Sequence, residues 1–134
     1  MRVLIDTNIL FSAIYSPNSI PFQAFKKAVD PPYQCLICEY CLDELRRVFS
    51  NKFPHMTQVA ENFIAVALSV VEVIPVPTEV HDDENKIRDK NDRPILRAAI
   101  NSKADILLTG DKDFSESGLK NPRIMTAAEF LRLG

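Results

Sequence analysis

Short apolar runs alternate along the chain with longer segments in which apolar positions recur at helical spacing. Val3, Leu4 and Ile5 form the first run, rich in β-branched side chains, which predicts a strand buried on both faces and ending at Asp6. An apolar segment from Ile9 to Ile14 breaks at Ser16-Pro17-Asn18. Ser19 followed by Pro21 then predicts the start of a helix to about Val29, closed by Pro31-Pro32. Tyr33 to Ile37 reads as a second strand, and Glu39 to Phe49 as a helix with Leu42, Leu45, Val48 and Phe49 on its apolar face. A turn around Asn51 to His55 leads to Thr57, the expected N-cap of a helix through Leu68, and Val70 to Val76 is the expected third strand.

Glu79 to Asp92 is a loop crowded with charge, and Asp92 before Arg93-Pro94 reads as the cap of a helix carrying Ile95, Leu96, Ala98, Ala99 and Ile100. Ala104 to Leu108 is the fourth predicted strand, closed by Thr109-Gly110-Asp111, and Arg123 to Met125 the fifth. Thr126 and Glu129 then have the spacing of a capping box opening a terminal helix. Mostly apolar strands alternating with helices predict an α/β fold whose parallel sheet is covered on both faces, with ligands bound beyond the carboxyl ends of the strands. No repeat or linker divides the sequence, and 134 residues with 46% apolar side chains are expected to form one domain, 1–134.

Composition narrows the chemistry. The three glycines, Gly110, Gly118 and Gly134, are too few and too late for a dinucleotide-binding G-x-G-x-x-G loop or a P-loop, so phosphate must be gripped by other means. No apolar stretch approaches the roughly 20 residues of a membrane span, and Asp6 interrupts the apolar opening that a signal peptide would need; the expected location is the cytoplasm. A formal charge of −2, from 16 basic and 18 acidic side chains, lacks the basic footprint of most nucleic-acid binders. Cys35, Cys38 and Cys41 spell C-x-x-C-x-x-C, which invites a metal or redox role. A thiolate metal site generally takes four ligands, however, and His55 and His81 are distant in sequence, so half-buried packing around a strand end is the favoured reading.

Two predicted strands end in aspartate, at Asp6 and Asp111, and Asp92 stands at a predicted helix start, which places all three on one rim of a parallel sheet. Each alone is explained as a cap or turn residue. Together they would repel one another unless a cation sat among them. Carboxylate oxygens without His or Cys select a hard ion, Mg²⁺ or Mn²⁺, which suits hydrolysis of a phosphodiester.

Val3-Leu4-Ile5-Asp6-Thr7-Asn8, Glu44-Leu45-Arg46-Arg47-Val48, Arg88-Asp89-Lys90-Asn91-Asp92 and Leu108-Thr109-Gly110-Asp111-Lys112-Asp113-Phe114 together resemble the four signatures of PIN-domain ribonucleases, and the chain is most similar to VapC-type toxins of bacterial toxin–antitoxin systems. The resemblance spans nearly the whole chain and implies a three-layer α/β/α sandwich around a central parallel sheet. It implies that Asp6, Glu44, Asp92 and Asp111 form an acidic metal-binding quartet, with Asp113 an accessory acid and Thr7, Asn8 and Thr109 polar supports. Spacing alone does not choose Glu44 over Asp43 and Glu39, although Glu44 lies at the edge of the apolar helix face and Asp43 about 100° further round. Asp89 likewise shares the loop with Asp92.

The implied activity is metal-dependent endoribonuclease cleavage with Mg²⁺ or Mn²⁺, and the implied partners are RNA, a small antitoxin and a second copy of the chain. Arg46, Arg47, Lys52, Arg93 and Lys112 are the candidate contacts to the RNA backbone. Setting the four proposed ligands aside leaves 14 acidic against 16 basic side chains, a net of about +2, which removes the objection to a nucleic-acid partner. Two other functions compete. A binding module with the same fold and weak catalysis is disfavoured by the presence of all four acids, and a phosphatase with an aspartyl nucleophile by Asn8, which stands where a second aspartate is usual.

Overall fold

In a computed structural model, which describes residues 1–133, five parallel strands form one sheet in the order β3-β2-β1-β4-β5. The strands are β1 (Arg2–Ile5), β2 (Gln34–Cys38), β3 (Glu72–Ile74), β4 (Ile106–Leu108) and β5 (Arg123–Met125). Successive side chains of a strand point to opposite faces, yet Val3, Leu4 and Ile5 are all fully buried, as are Ile106, Leu107 and Leu108. Helices therefore cover both faces of the central strands, giving the expected three-layer α/β/α sandwich with its parallel sheet. The helices are α1 (Thr7–Tyr15), α2 (Ile20–Ala28), α3 (Glu39–Lys52), α4 (Thr57–Ala67), α5 (Arg93–Asn101), α6 (Lys112–Ser115) and α7 (Ala127–Arg132). Among the described residues no helix is long and apolar enough to cross a membrane.

Several caps form as the sequence predicts. Ser19 Oγ accepts from Phe22 N–H at 3.3 Å, and Thr126 and Glu129 exchange side-chain and backbone bonds at 3.1 and 3.0 Å. Others do not. Thr57 is the first residue of α4 rather than its cap, because a 3-10 turn over Pro54–Met56 runs straight into the helix. Asp92 stands at the N-cap position of α5 with a helical backbone and caps nothing, since the turn Lys90–Asp92 leads in and is itself capped by Asp89, which accepts from Asn91 N–H at 2.9 Å. Only Glu72–Ile74 of the predicted Val70–Val76 strand forms: Val70 and Val71 both donate their N–H to Ala67 O, which prolongs the end of α4.

The charged loop over 79–92 is more ordered than its composition suggests. Ile87 and Glu84 within it are buried, and Glu84 is held by Arg97 of α5 at 2.9 and 3.1 Å. The three cysteines are fully buried rather than half-buried. Burial pushes the Cys35 thiol up to about 12.

Helix α5 ends in a left-handed residue that is not glycine. Lys103 has φ 58°, its N–H bonds Ile100 O at 3.1 Å, and Ala104 N–H reaches back to Ala99 O at 2.9 Å, a Schellman closure. An L-residue in this conformation carries a steric cost that glycine lacks. Lys103→Gly is expected to stabilise the protein by about 0.5–1 kcal/mol, seen as a thermal midpoint a few degrees higher; an unchanged or lower midpoint would contradict the closure described.

Candidate functional site

The strand order reverses between β1 and β4, since β2 and β3 lie to one side of β1 and β4 and β5 to the other. At such a switch point the loops leaving adjacent strands diverge and open a crevice at their carboxyl ends. Asp6 follows β1 and Thr109-Gly110-Asp111 follow β4, with Asp6 N–H bonded to Leu108 O at 2.9 Å. A cleft of about 230 Å³ opens there, lined by Asp6, Thr7, Asn8, Phe11, Glu44, Val48, Asp92 and Asp111. Four carboxylates from four separate elements thus face one space: the end of β1, the second turn of α3, the entry to α5 and the end of β4.

Asp6 is the most confined of them, only 3% exposed. It caps α1, with Oδ1 accepting from Thr7 N–H at 2.7 Å, while Oδ2 accepts from Thr109 Oγ1 at 2.8 Å and Asn8 Nδ2 at 3.4 Å. Asn8 turns its amide oxygen to Gly110 N–H at 3.2 Å, and Thr109 Oγ1 accepts from Asp111 N–H at 3.0 Å. Asn8 and Thr109 therefore lock the β1 and β4 loops together and aim both Asp6 and Asp111. Asp111 in turn caps α6 through Asp113 N–H at 2.9 Å. Thr7 Oγ1 does not bond its own backbone; it is buried without a hydrogen bond of good geometry, with the Cys41 thiol against it.

Desolvation by burial raises the Asp6 carboxyl to about 6, opposed by the bonds from Thr109 and Thr7 and assisted by repulsion from Glu44 and Asp111. Asp92 is pushed further, to about 8, by burial first and then by the neighbouring Asp111. Asp92 Oδ2 is buried with no hydrogen-bond partner. Buried carboxylate oxygens nearly always find a donor, and a cation satisfies one equally well. With an all-oxygen donor set, the residues fit a hard divalent ion.

The remaining predicted residues separate. Asp113 is absent from the cleft wall: Arg88 binds its Oδ1 through Nε at 3.0 Å and Nη2 at 2.6 Å. Its carboxylate nevertheless lies with those of Asp89 and Asp92 in a cluster whose oxygens are within 4.8 Å of one another, so Asp92 borders both groups. Among the predicted RNA contacts, Arg46 is paired with Glu61 at 3.1 Å, and Arg93 Nε donates to Ile87 O at 3.0 Å. Arg47, Lys52 and Lys112 make no ion pair among the described residues. Phe11 and Val48, which form the apolar wall, were not among the predicted site residues. Their signal was their spacing, one turn after Asn8 and Glu44 on the same helix faces.

The model of the PIN domain matches residues 2–113. The chain belongs to the PIN domain family. It is similar to an uncharacterized protein of Methanocaldococcus jannaschii, 31% identical over 117 residues, covering 84% of this chain and 72% of that protein. Among solved structures, a chain of VapBC2 from Rickettsia felis bound to a DNA fragment from its promoter superposes with a TM-score of 0.72 at 19% identity, covering 94% of this chain and 98% of that one. DNA-bound VapBC from Salmonella typhimurium gives 0.70 at 16%, covering 95% and 98%. VapC20 of Mycobacterium tuberculosis, a toxin that cleaves the sarcin-ricin loop, gives 0.60 at 18%, covering 87% and 95%. These similarities establish the fold as a PIN domain.

The raised Asp92 carboxyl ties the stability of the metal-free protein to pH. Asp92 titrates near 3.8 when unfolded and near 8 when folded, so between those values the folded state binds more protons and loses stability as pH rises. Asp92→Asn removes that loss. In EDTA its thermal midpoint is expected to exceed that of the wild type at pH 8 and to converge with it near pH 4; equal midpoints at pH 8 would show that Asp92 carries no such burden.

Proposed function

We propose that the chain is a metal-dependent endoribonuclease and the toxin of a type II toxin–antitoxin pair. The observation that carries this reading is the convergence of Asp6, Glu44, Asp92 and Asp111 on one cleft, with a buried Asp92 oxygen lacking any donor. Those four residues would hold Mg²⁺ or Mn²⁺. Bound there, the ion would supply Lewis-acid activation of water and neutralise charge on the scissile phosphodiester.

The chain's own residues set the stage for that chemistry. Thr109, Asn8 and the Thr7 amide hold the Asp6 carboxylate in one orientation, so no rotamer entropy remains to be lost when the ligand shell forms. The raised Asp92 carboxyl keeps its proton at neutral pH and so limits the charge of the cleft when no cation is present. Phe11 and Val48 exclude water from one side and offer an apolar surface to a base. Arg47, Lys52 and Lys112 supply positive charge for the RNA backbone. Asp113 is an accessory acid oriented by Arg88. A small antitoxin and a second copy of the chain are the proposed protein partners, in keeping with the VapBC complexes that share the fold.

End-labelled single-stranded RNA incubated with the pure chain tests the proposal. Cleavage is expected with Mn²⁺ and not with EDTA, and without 2′,3′-cyclic phosphate ends, because water rather than the ribose hydroxyl is the nucleophile. Inactivity with every divalent ion and RNA tried would favour the binding module instead. Cyclic phosphate products formed in EDTA would exclude the mechanism.

A further inference from the structure

Two of the three buried thiols stand in a relation that the cleft chemistry does not use. Cys38 ends β2 and occupies the N-cap position of α3, and Cys41 lies three residues on in the first turn; their sulfur atoms are 3.2 Å apart. Cys38 makes no side-chain cap to the backbone, so its sulfur is turned to its neighbour thiol instead. We propose that Cys38 and Cys41 form a reversible dithiol–disulfide pair, closed by a small peroxide, behind the Thr7 side of the acidic cleft.

The geometry is close to that of the bond. A disulfide is about 2.05 Å long, so the sulfurs need to approach by only about 1.2 Å. N-cap and N3 positions are the spacing at which a cap side chain ordinarily reaches the third residue of a helix, which is what brings the two sulfurs together here. Cys35 is excluded as a partner for Cys38: three residues of extended strand separate their Cα atoms by roughly 10 Å, beyond the reach of about 7 Å. The contact with Cys41 and the Cys41 and Tyr40 N–H groups at the start of α3 lower the Cys38 thiol against the opposing effects of burial and Asp6, while Cys41 is raised, which makes Cys38 the attacking sulfur. Both residues are fully buried, which favours a molecule as small as hydrogen peroxide over a bulky disulfide as oxidant.

The Cys38 thiolate attacks one peroxide oxygen, the O–O bond breaks, and a sulfenic acid and hydroxide form; the hydroxide takes up the proton that Cys38 lost. The Cys41 sulfur then attacks the Cys38 sulfur, its proton and the sulfenic hydroxyl leaving as a second water. Two thiols and one hydrogen peroxide thus give one disulfide and two waters, the sulfur pair losing two electrons. The Cys41 thiol lies against Thr7, and Glu44 follows Cys41 by three residues on α3. The new bond therefore forms within one turn of a proposed metal ligand.

The folded, metal-free chain is treated with hydrogen peroxide, quenched with catalase, denatured, labelled with a maleimide and weighed. The reduced protein is expected to take three adducts, one for each free cysteine. The oxidised protein is expected to take one, to weigh two hydrogens less before labelling, to yield a Cys38–Cys41 linked peptide, and to recover all adducts after dithiothreitol. Cys35→Ala is expected to oxidise in the same way, and Cys41→Ser to form no intramolecular link. Three adducts after peroxide, oxygen addition without a link, or a link that includes Cys35 or joins two chains would overturn the proposal. The wild-type peptide map decides it even if a variant fails to fold.

Discussion

Asp6→Asn is expected to lower metal-dependent RNA cleavage by on the order of 10²–10³-fold or more while leaving the protein folded. The change preserves shape and removes one charge. Asn at this position still accepts from Thr7 N–H, and its amide nitrogen donates to the second lone pair of Thr109 Oγ1, beside the Asp111 N–H, giving up only the long 3.4 Å contact from Asn8. Because burial already raises Asp6 to about 6, the neutral side chain costs the fold nothing at neutral pH, and the metal-free variant is expected to melt no lower than the wild type. Loss of cleavage at an unchanged melting temperature separates a role in the site from a role in folding. Full cleavage by the pure variant would sink the proposed mechanism.

Arg97→Met is expected to cause the largest loss of stability, about 3–5 kcal/mol by urea unfolding, through a buried charge left without its partner. Glu84 is 2% exposed. Burial alone would raise its carboxyl, yet the Arg97 guanidinium and the His81 N–H hold it below the usual range. Arg97 also binds Pro77 O at 3.1 Å, so one side chain ties both ends of the 77–84 segment to α5. Replacing both partners, Glu84→Leu with Arg97→Met, is expected to restore much of the loss, because no unpaired charge then remains. A single variant as stable as the wild type would show that the pair is not desolvated as described.

The sheet was legible because β1, β2 and β4 each carry a run of consecutive apolar residues, a pattern that burial on both faces explains, and Asp6 and Asp111 were legible as strand-end carboxylates. What escaped depended on partners far away in sequence. Nothing local shows that Glu84 in a charged loop is buried against Arg97, or that Arg88 claims Asp113 from 25 residues away. Asp92 illustrates the same limit. Before Arg-Pro it has the local appearance of a helix cap, yet burial first, and then the nearby Asp111, Asp6 and Asp89, raise its carboxyl. Glu44 was singled out by resemblance, since helical spacing left Asp43 and Glu39 open; in the fold Glu44 alone of the three lines the cleft.

Binding of a divalent cation by the four carboxylates is tested without any RNA by calorimetric titration of the chain with Mn²⁺. Saturable binding accompanied by proton release is expected, stronger at pH 8 than at pH 6 because protons on Asp6 and Asp92 must leave, and lost in Asp6→Asn. No binding by the wild type, or equal binding by Asp6→Asn, would contradict it.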